Sequence, residues 1–121
     1  MIDMVVEAAI SLGADVNRKN NAGQTPLMLS CTGDFRTMEE VQTALLEAGA
    51  DVTLRDVEGN TVLHYAAHYA SRTDASAMTE LILDFGEPDA NAVNLAGKTA
   101  MDYAMEQDNT PLVKLLLPYM E

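Results

Sequence analysis

Two histidines and a single cysteine are the residues of this 121-residue chain best suited to chemistry. His64 and His68 stand four apart, on one face of any helix that carries them, and that spacing can hold a metal ion. No glutamate follows His64 in the manner of a metalloprotease helix, and no third ligand is near in sequence. Asp56-Val57-Glu58-Gly59-Asn60 has the outline of a calcium loop but lacks its acidic spacing and its closing glutamate. Cys31 is the only cysteine, so no internal disulfide can form and a reducing, intracellular, cytoplasmic setting is expected. A nucleophilic Cys31 would need a histidine brought from elsewhere in the fold. Glycine-rich phosphate loops and Gly-x-Ser-x-Gly are missing. These residues therefore read as structural: no catalytic set, metal or cofactor is expected, and the chain is expected not to be an enzyme.

The charge points the same way. Nineteen acids against seven bases give a net charge of −12, which repels a phosphate backbone and argues against nucleic-acid binding. It would draw in a partner with a basic contact surface. No apolar run reaches the roughly 20 residues of a membrane span. No basic segment followed by an apolar stretch marks a signal peptide.

The elements that carry these residues recur. Gly13-Ala14-Asp15-Val16-Asn17 returns as Gly49-Ala50-Asp51-Val52-Thr53, and in degraded form as Gly86-Glu87-Pro88-Asp89-Ala90-Asn91. A second word follows each: Gly23-Gln24-Thr25-Pro26-Leu27, Gly59-Asn60-Thr61-Val62-Leu63 and Gly97-Lys98-Thr99-Ala100-Met101. Glycine after a helical run supplies the positive φ that ends the helix. The polar stretch between the words suits a hairpin-like turn. Threonine then caps a short helix, with Pro26 at a favoured first-turn position.

Longer helices close the units. Met38, Val41, Leu45 and Leu46 repeat at helical spacing, and Thr37-Met38-Glu39-Glu40 has the form of a capping box, so that helix is expected to begin after Thr37. Met78, Leu81, Ile82 and Phe85 mark the next, with Asp74 or Ser76 as its expected cap. Thr110-Pro111 opens the last, carrying Leu112, Val113 and Leu116, and Pro118 is expected to stop it. Val5, Val6, Ala9 and Ile10 mark a first helix with no short helix before it. Met28, Met38, Met78 and Met101 read as packing. Neither helix of a unit can bury its apolar face alone, and stacking neighbours solves that.

Asp56-Val57-Glu58-Gly59-Asn60-Thr61-Val62-Leu63-His64-Tyr65-Ala66-Ala67 and Leu45-Leu46-Glu47-Ala48-Gly49-Ala50-Asp51-Val52 closely resemble the ankyrin repeat family, and the resemblance runs over essentially the whole chain. It implies an all-α ankyrin-repeat solenoid of about three and a half repeats in a single domain. The expected divisions are 1–18 (a second helix only), 19–54, 55–92 and 93–121, with additional repeats expected before residue 1. The family period is about 33 residues, whereas Gly23 to Gly59 spans 36 and Gly59 to Gly97 spans 38. The additions are expected in enlarged loops at 31–37 and 68–74, which would form a second candidate surface. The family histidine, which helps tie neighbouring repeats together, stands only at His64; Met28 and Asp102 take its place elsewhere.

The resemblance further implies a protein-binding scaffold that uses the turns and the inner face of the short helices. The matching positions are Lys19, Asn21 and Gln24, then Arg55, Val57, Glu58 and Asn60, then Val93, Leu95 and Lys98, with His68, Tyr69 and Gln107 at the helix ends. Val57, Val93 and Leu95 are apolar where solvent favours polar groups, and Tyr69 offers an aromatic anchor. Four of the seven bases, Arg18, Lys19, Arg55 and Lys98, lie in or beside the turns. The alternative is a regulatory or targeting segment of a larger multidomain protein or enzyme whose catalytic part lies elsewhere.

Overall fold

The computed structural model describes residues 16–32, 35–69 and 72–120. The expected first helix at Val5, Val6, Ala9 and Ile10 lies outside them. Among the described residues there are six α-helices and no strand: α1 (Pro26–Ser30), α2 (Phe35–Glu47), α3 (Val62–Tyr69), α4 (Arg72–Phe85), α5 (Ala100–Glu106) and α6 (Thr110–Leu116), the last running into a 3-10 turn at Leu117–Tyr119. The short helices α1, α3 and α5 pack side by side in one row, and α2, α4 and α6 in a second. This is the all-helical solenoid that the two glycine words imply.

Local chemistry sets the length of the short helices. Thr25 has extended backbone angles and its hydroxyl accepts the Met28 N–H, while Pro26 fills the first turn at no hydrogen-bond cost. At the other end, Cys31 Sγ reaches Leu27 O at 3.6 Å and Thr32 Oγ1 donates to Leu29 O at 2.7 Å. Ser30 Oγ also donates to Leu27 O. Side chains thus satisfy carbonyls that a longer helix would use, and α1 stops after five residues. In α3, by contrast, Val62 to Ala67 are all buried, because α1, α4 and α5 enclose it.

The core is a repeated pair at i, i+4: Val41 and Leu45, Met78 and Ile82, Leu112 and Leu116, all at most 4% exposed. Burial of each such side chain contributes about 1.5–3 kcal/mol. Gln42, also fully buried, donates from Nε2 to Ser30 Oγ at 3.0 Å and ties α2 to the end of α1. Met28, Met78 and Met101 are core residues as expected.

Several boundaries differ from the sequence reading. α2 starts at Phe35, so Thr37 lies inside its first turn and is not its cap; α4 starts at Arg72, which puts Asp74 and Ser76 inside that helix. Ser76 Oγ is buried without a hydrogen-bond partner, the opposite of a capping hydroxyl. The extra residues accordingly lengthen helices and do not form loops across 31–37 and 68–74. α3 has eight residues where α1 has five, and α4 follows it two residues later. The physical reason is backbone pairing: residues added to a helix bond into its own ladder, whereas a bare loop would add only ordering cost.

Two backbone expectations also change. Gly23, Gly49, Gly59 and Gly97 adopt positive φ, but Gly86 does not; a Cβ there would lie 2.7 Å from Val52 Cγ2, so close approach explains that glycine. Leu117, before Pro118, keeps helical angles (φ −51°, ψ −44°), and the chain tightens into the 3-10 turn instead of leaving the helix abruptly.

Candidate protein-binding surface

Each turn is built on one side chain. Asn20 Oδ1 accepts the N–H groups of Ala22 and Gln24; Asp56 Oδ1 accepts those of Glu58 and Asn60; Asn94 Oδ1 accepts those of Ala96 and Lys98. An Asx side chain bonding forward to its own backbone closes the loop without a sheet. The turns then join: Val57 N–H donates to Ala22 O at 3.1 Å and Leu95 N–H to Glu58 O at 2.8 Å. That close approach is why glycine is needed. A Cβ on Gly23 would lie 2.9 Å from Val57 N, and one on Gly59 would lie 3.2 Å from Asn94 Cα, both on top of a positive φ.

The side chains of the turns divide by position. Lys19 Nζ donates to Arg55 O at 2.8 Å, and the Arg55 guanidinium donates to Val93 O at 3.3 Å, so these bases brace successive turns. Gln24 donates to the Tyr65 hydroxyl at 3.1 Å, Asn60 Oδ1 accepts from Asn94 Nδ2 at 2.8 Å, and Lys98 pairs with Glu106 at 2.7 Å over the Tyr103 ring. At the tips the side chains point outward: Asn21, Val57, Glu58, Val93 and Leu95 are exposed, Leu95 by 80% and Val57 by 64%. The backbones of Val57 and Leu95 bond to the preceding turn, and their side chains are largely exposed.

Tyr65 and Asp56 lock the middle turn to α3. The Tyr65 hydroxyl donates to Asp56 Oδ2. Burial alone would raise the Asp56 pKa, but this bond and those from Asn60 and Glu58 hold its carboxyl below the ordinary value. Burial, and the same bond made by the protonated phenol, push Tyr65 up to about 12. Beyond Tyr65 the inner face carries an aromatic group: Tyr69, half-exposed, stacks 5.3 Å from Tyr65, and His68 lies 4.6 Å from Tyr103 and 4.7 Å from Tyr69. Gln107 Nε2 donates to His68 O at 3.1 Å, across the joint between α3 and α5.

Some surface residues escaped the sequence reading. Leu29 is 43% exposed and, with Arg18, Lys19, Asn20, Gln24 and Pro26, lines a cleft of ≈ 300 Å³ beside the first turn. Its place in the helix matches Tyr65 and Tyr103, a correspondence the sequence does show.

The residues first suspected of chemistry are engaged otherwise. His64 Nδ1 accepts the Thr61 N–H at 3.0 Å, which leaves its proton on Nε2 to donate to Lys98 O at 2.9 Å; neither nitrogen is free for a metal. Burial holds the ring below the ordinary histidine value. Met28 Sδ and Asp102 Oδ2 receive the corresponding threonine N–H in their repeats, at 3.5 and 2.9 Å. Sulfur, nitrogen and oxygen thus do one capping task, and only His64 also crosses to the next repeat. The Cys31 thiol is buried and pushed up to about 12 by desolvation. Among the described residues no three His, Cys, Asp or Glu side chains gather to hold a metal, and no helix is long and apolar enough to cross a membrane.

The stacked turns, the capped short helices and the threonine–glycine words define a repeat solenoid. The family model of ankyrin repeats in three copies matches residues 2–75 and 38–121, and the chain belongs to the ankyrin repeat family. It is similar to the NF-kappa-B inhibitor alpha of Gallus gallus, with 38% identity over 76 residues, covering 63% of this chain and 23% of that protein. It is similar to the intracellular phospholipase A2 of Caenorhabditis elegans, with 27% identity over 115 residues, covering 95% of this chain and 11% of the relative. A third relative, the nuclear factor NF-kappa-B p105 subunit of Gallus gallus, is 30% identical over 84% of this chain and 13% of its own length. The chain therefore spans between about a tenth and a quarter of the length of these relatives.

Proposed function

We propose that this chain is a non-catalytic, intracellular and cytoplasmic protein-binding scaffold whose partner docks along the turn tips and the inner face of the short helices. The observation that carries it is the tip column. Val57 and Leu95 hold apolar side chains in solvent on turns whose backbones are fixed by Asx bonds and by one another. Solvated apolar groups on a rigid frame lose little freedom on binding, which is the condition for a contact site. Tyr69, with His68 beside it, supplies an aromatic anchor next to the tips. The basic residues of the turns favour acidic groups in the part of the partner that lies there. The acids of α2, among them Glu39, Glu40 and Glu47, favour a basic surface facing the outer row.

The test is quantitative affinity capture with the wild type, Leu95→Asp and the double reversal K19E/R55E, each checked for unchanged helical circular dichroism. A partner retained by the wild type and lost at least about tenfold by the variants supports the surface. Equal recovery by all three proteins refutes it.

A second reading is favoured by one observation: the phospholipase relative matches this chain over only 11% of its own length. On that reading the repeats are a regulatory or targeting segment of a larger protein. Sequencing the transcript across both ends of the reading frame decides between an isolated scaffold and a multidomain chain.

A further inference from the structure

The chain holds two hydroxyl–proline dipeptides, Thr25-Pro26 and Thr110-Pro111. Both put proline in the first turn of a helix, but their hydroxyls fare differently. Thr25 is 3% exposed, and its hydroxyl accepts the Met28 N–H. At the start of α6 that capping task falls to Asn109, whose Oδ1 accepts the Leu112 N–H at 3.3 Å. Thr110 is thereby released: it and Pro111 are both exposed, and its hydroxyl makes no hydrogen bond among the described residues. The other exposed threonines described are engaged, Thr32 donating to Leu29 O and Thr53 to Asp51 Oδ1. Thr110 also stands outside both glycine words, so the repeat pattern assigns it no structural role.

We propose that Thr110 is a phosphorylation site for a proline-directed protein kinase. Such an enzyme takes the hydroxyl residue and its successor in extended form, the form that a residue before proline favours. Proline suits the second place because its missing N–H asks for no acceptor in the kinase groove. In the transfer, Thr110 Oγ1 forms a bond to the γ-phosphorus of ATP and the bond from that phosphorus to the β,γ-bridging oxygen breaks. ADP leaves, and the hydroxyl proton passes to the kinase's catalytic carboxylate. Little holds the dipeptide back: Pro111 has no N–H to lose, and the Thr110 N–H bonds only to Asp108 O, two residues before it. Residues 99–109 hold no base and carry Asp102, Glu106 and Asp108, so proline, not a preceding arginine, is the recognition mark. The folded chain also accepts the product. Lys114, exposed, lies four residues on in α6, and a phosphate ahead of a lysine at that spacing is the favoured order of charges.

The full chain is incubated with magnesium-ATP and a proline-directed kinase of the mitogen-activated class, beside peptides covering residues 20–31 and 104–117, and phosphate is placed by tandem mass spectrometry. Thr110 is expected to be modified in the folded chain within about tenfold of the rate in its peptide, whereas folding should slow Thr25 by roughly a hundredfold or more. P111A should abolish modification at Thr110, and the phosphorylated chain should melt no lower than the unmodified one. Modification of the peptide but not of the folded chain, modification of neither, or modification that survives P111A overturns the proposal. A lower Tm after phosphorylation overturns the accommodation of the phosphate beside Lys114.

Discussion

Of the three residues that receive the threonine N–H, His64 is the one whose ordinary pKa, 6.5, lies close to neutral pH. Its Nδ1 must stay unprotonated to accept the Thr61 N–H, and its Nε2–H spans the joint to Lys98 O. Burial lowers its pKa from the ordinary 6.5; Arg55 lowers it further, while the bond to Lys98 O and the charge of Asp56 act against them. The unfolded chain therefore binds the proton more readily. Stability from the neutral ring is complete above 6.5 and is lost as the pH falls through the lower folded value. The Tm is expected to hold above about pH 6.5 and to fall as the pH is lowered below it, and His64→Gln should flatten that fall; a wild-type Tm indifferent to pH below 6.5 refutes the assignment. Nitrogen NMR at neutral pH should find the His64 proton on Nε2. Cys31, its thiol buried and pushed up to about 12, is expected to resist a disulfide reagent in the native protein and to react fully in denaturant. Rapid native labelling would place the thiol in solvent. The structural roles of both residues were legible in the sequence because the repeat words fix their place in a helix. That His64 ties its repeat to a neighbour was implied by the family resemblance, but the acceptor, Lys98 O, lies 34 residues away and was not legible.

At the scale of elements, the threonine starts of the short helices were legible at Thr25 and Thr99, because a cap and its helix are neighbours in sequence. The starts of α2 and α4 were not. Hydroxyl and acidic residues stand near each start, Thr32, Asp34 and Thr37 for α2 and Ser71, Thr73, Asp74 and Ser76 for α4, so the sequence offers several caps for one helix. Lys19 and Arg55 are a similar case: their basic character read as a contact surface, while their reach to the next turn depends on a neighbour 36 or 38 residues on. The glycines allow a sharper test. Gly59→Ala meets both a positive φ and the Asn94 backbone at 3.2 Å, whereas Gly97→Ala meets the positive φ alone. Urea denaturation should show a loss of about 1 kcal/mol for Gly97→Ala and about 2–4 kcal/mol for Gly59→Ala. Equal losses would mean that the turns are not in the close register described.

For the whole molecule, the main helix contacts among the described residues run between neighbouring units, and the hydrogen bonds that join the turns are individually identifiable. Leu63, 1% exposed in the middle row, is expected to lose about 2–5 kcal/mol on change to Ala, measured by urea denaturation. A smaller loss would show that the middle helix is not the centre of the stack. The tip column stays intact in Leu95→Asp, because Leu95 joins the column through its backbone and its side chain stands free. The solenoid and its order of elements were thus readable from phased words, whereas the bonds from turn to turn were not, since Val57 N–H and Ala22 O, like Leu95 N–H and Glu58 O, lie far apart in sequence.

The turn-to-turn bonds have a mechanical consequence. Val57 N–H to Ala22 O and Leu95 N–H to Glu58 O each join one turn to the next, with a single backbone bond per joint. Tension applied from one end of the array to the other loads these joints in series, so each bears the full force in turn and none shares it. The array should therefore yield one unit at a time, as a soft spring, and recover by re-forming one joint at a time. The joint bridged by His64 would be the one whose stiffness an acid solution changes.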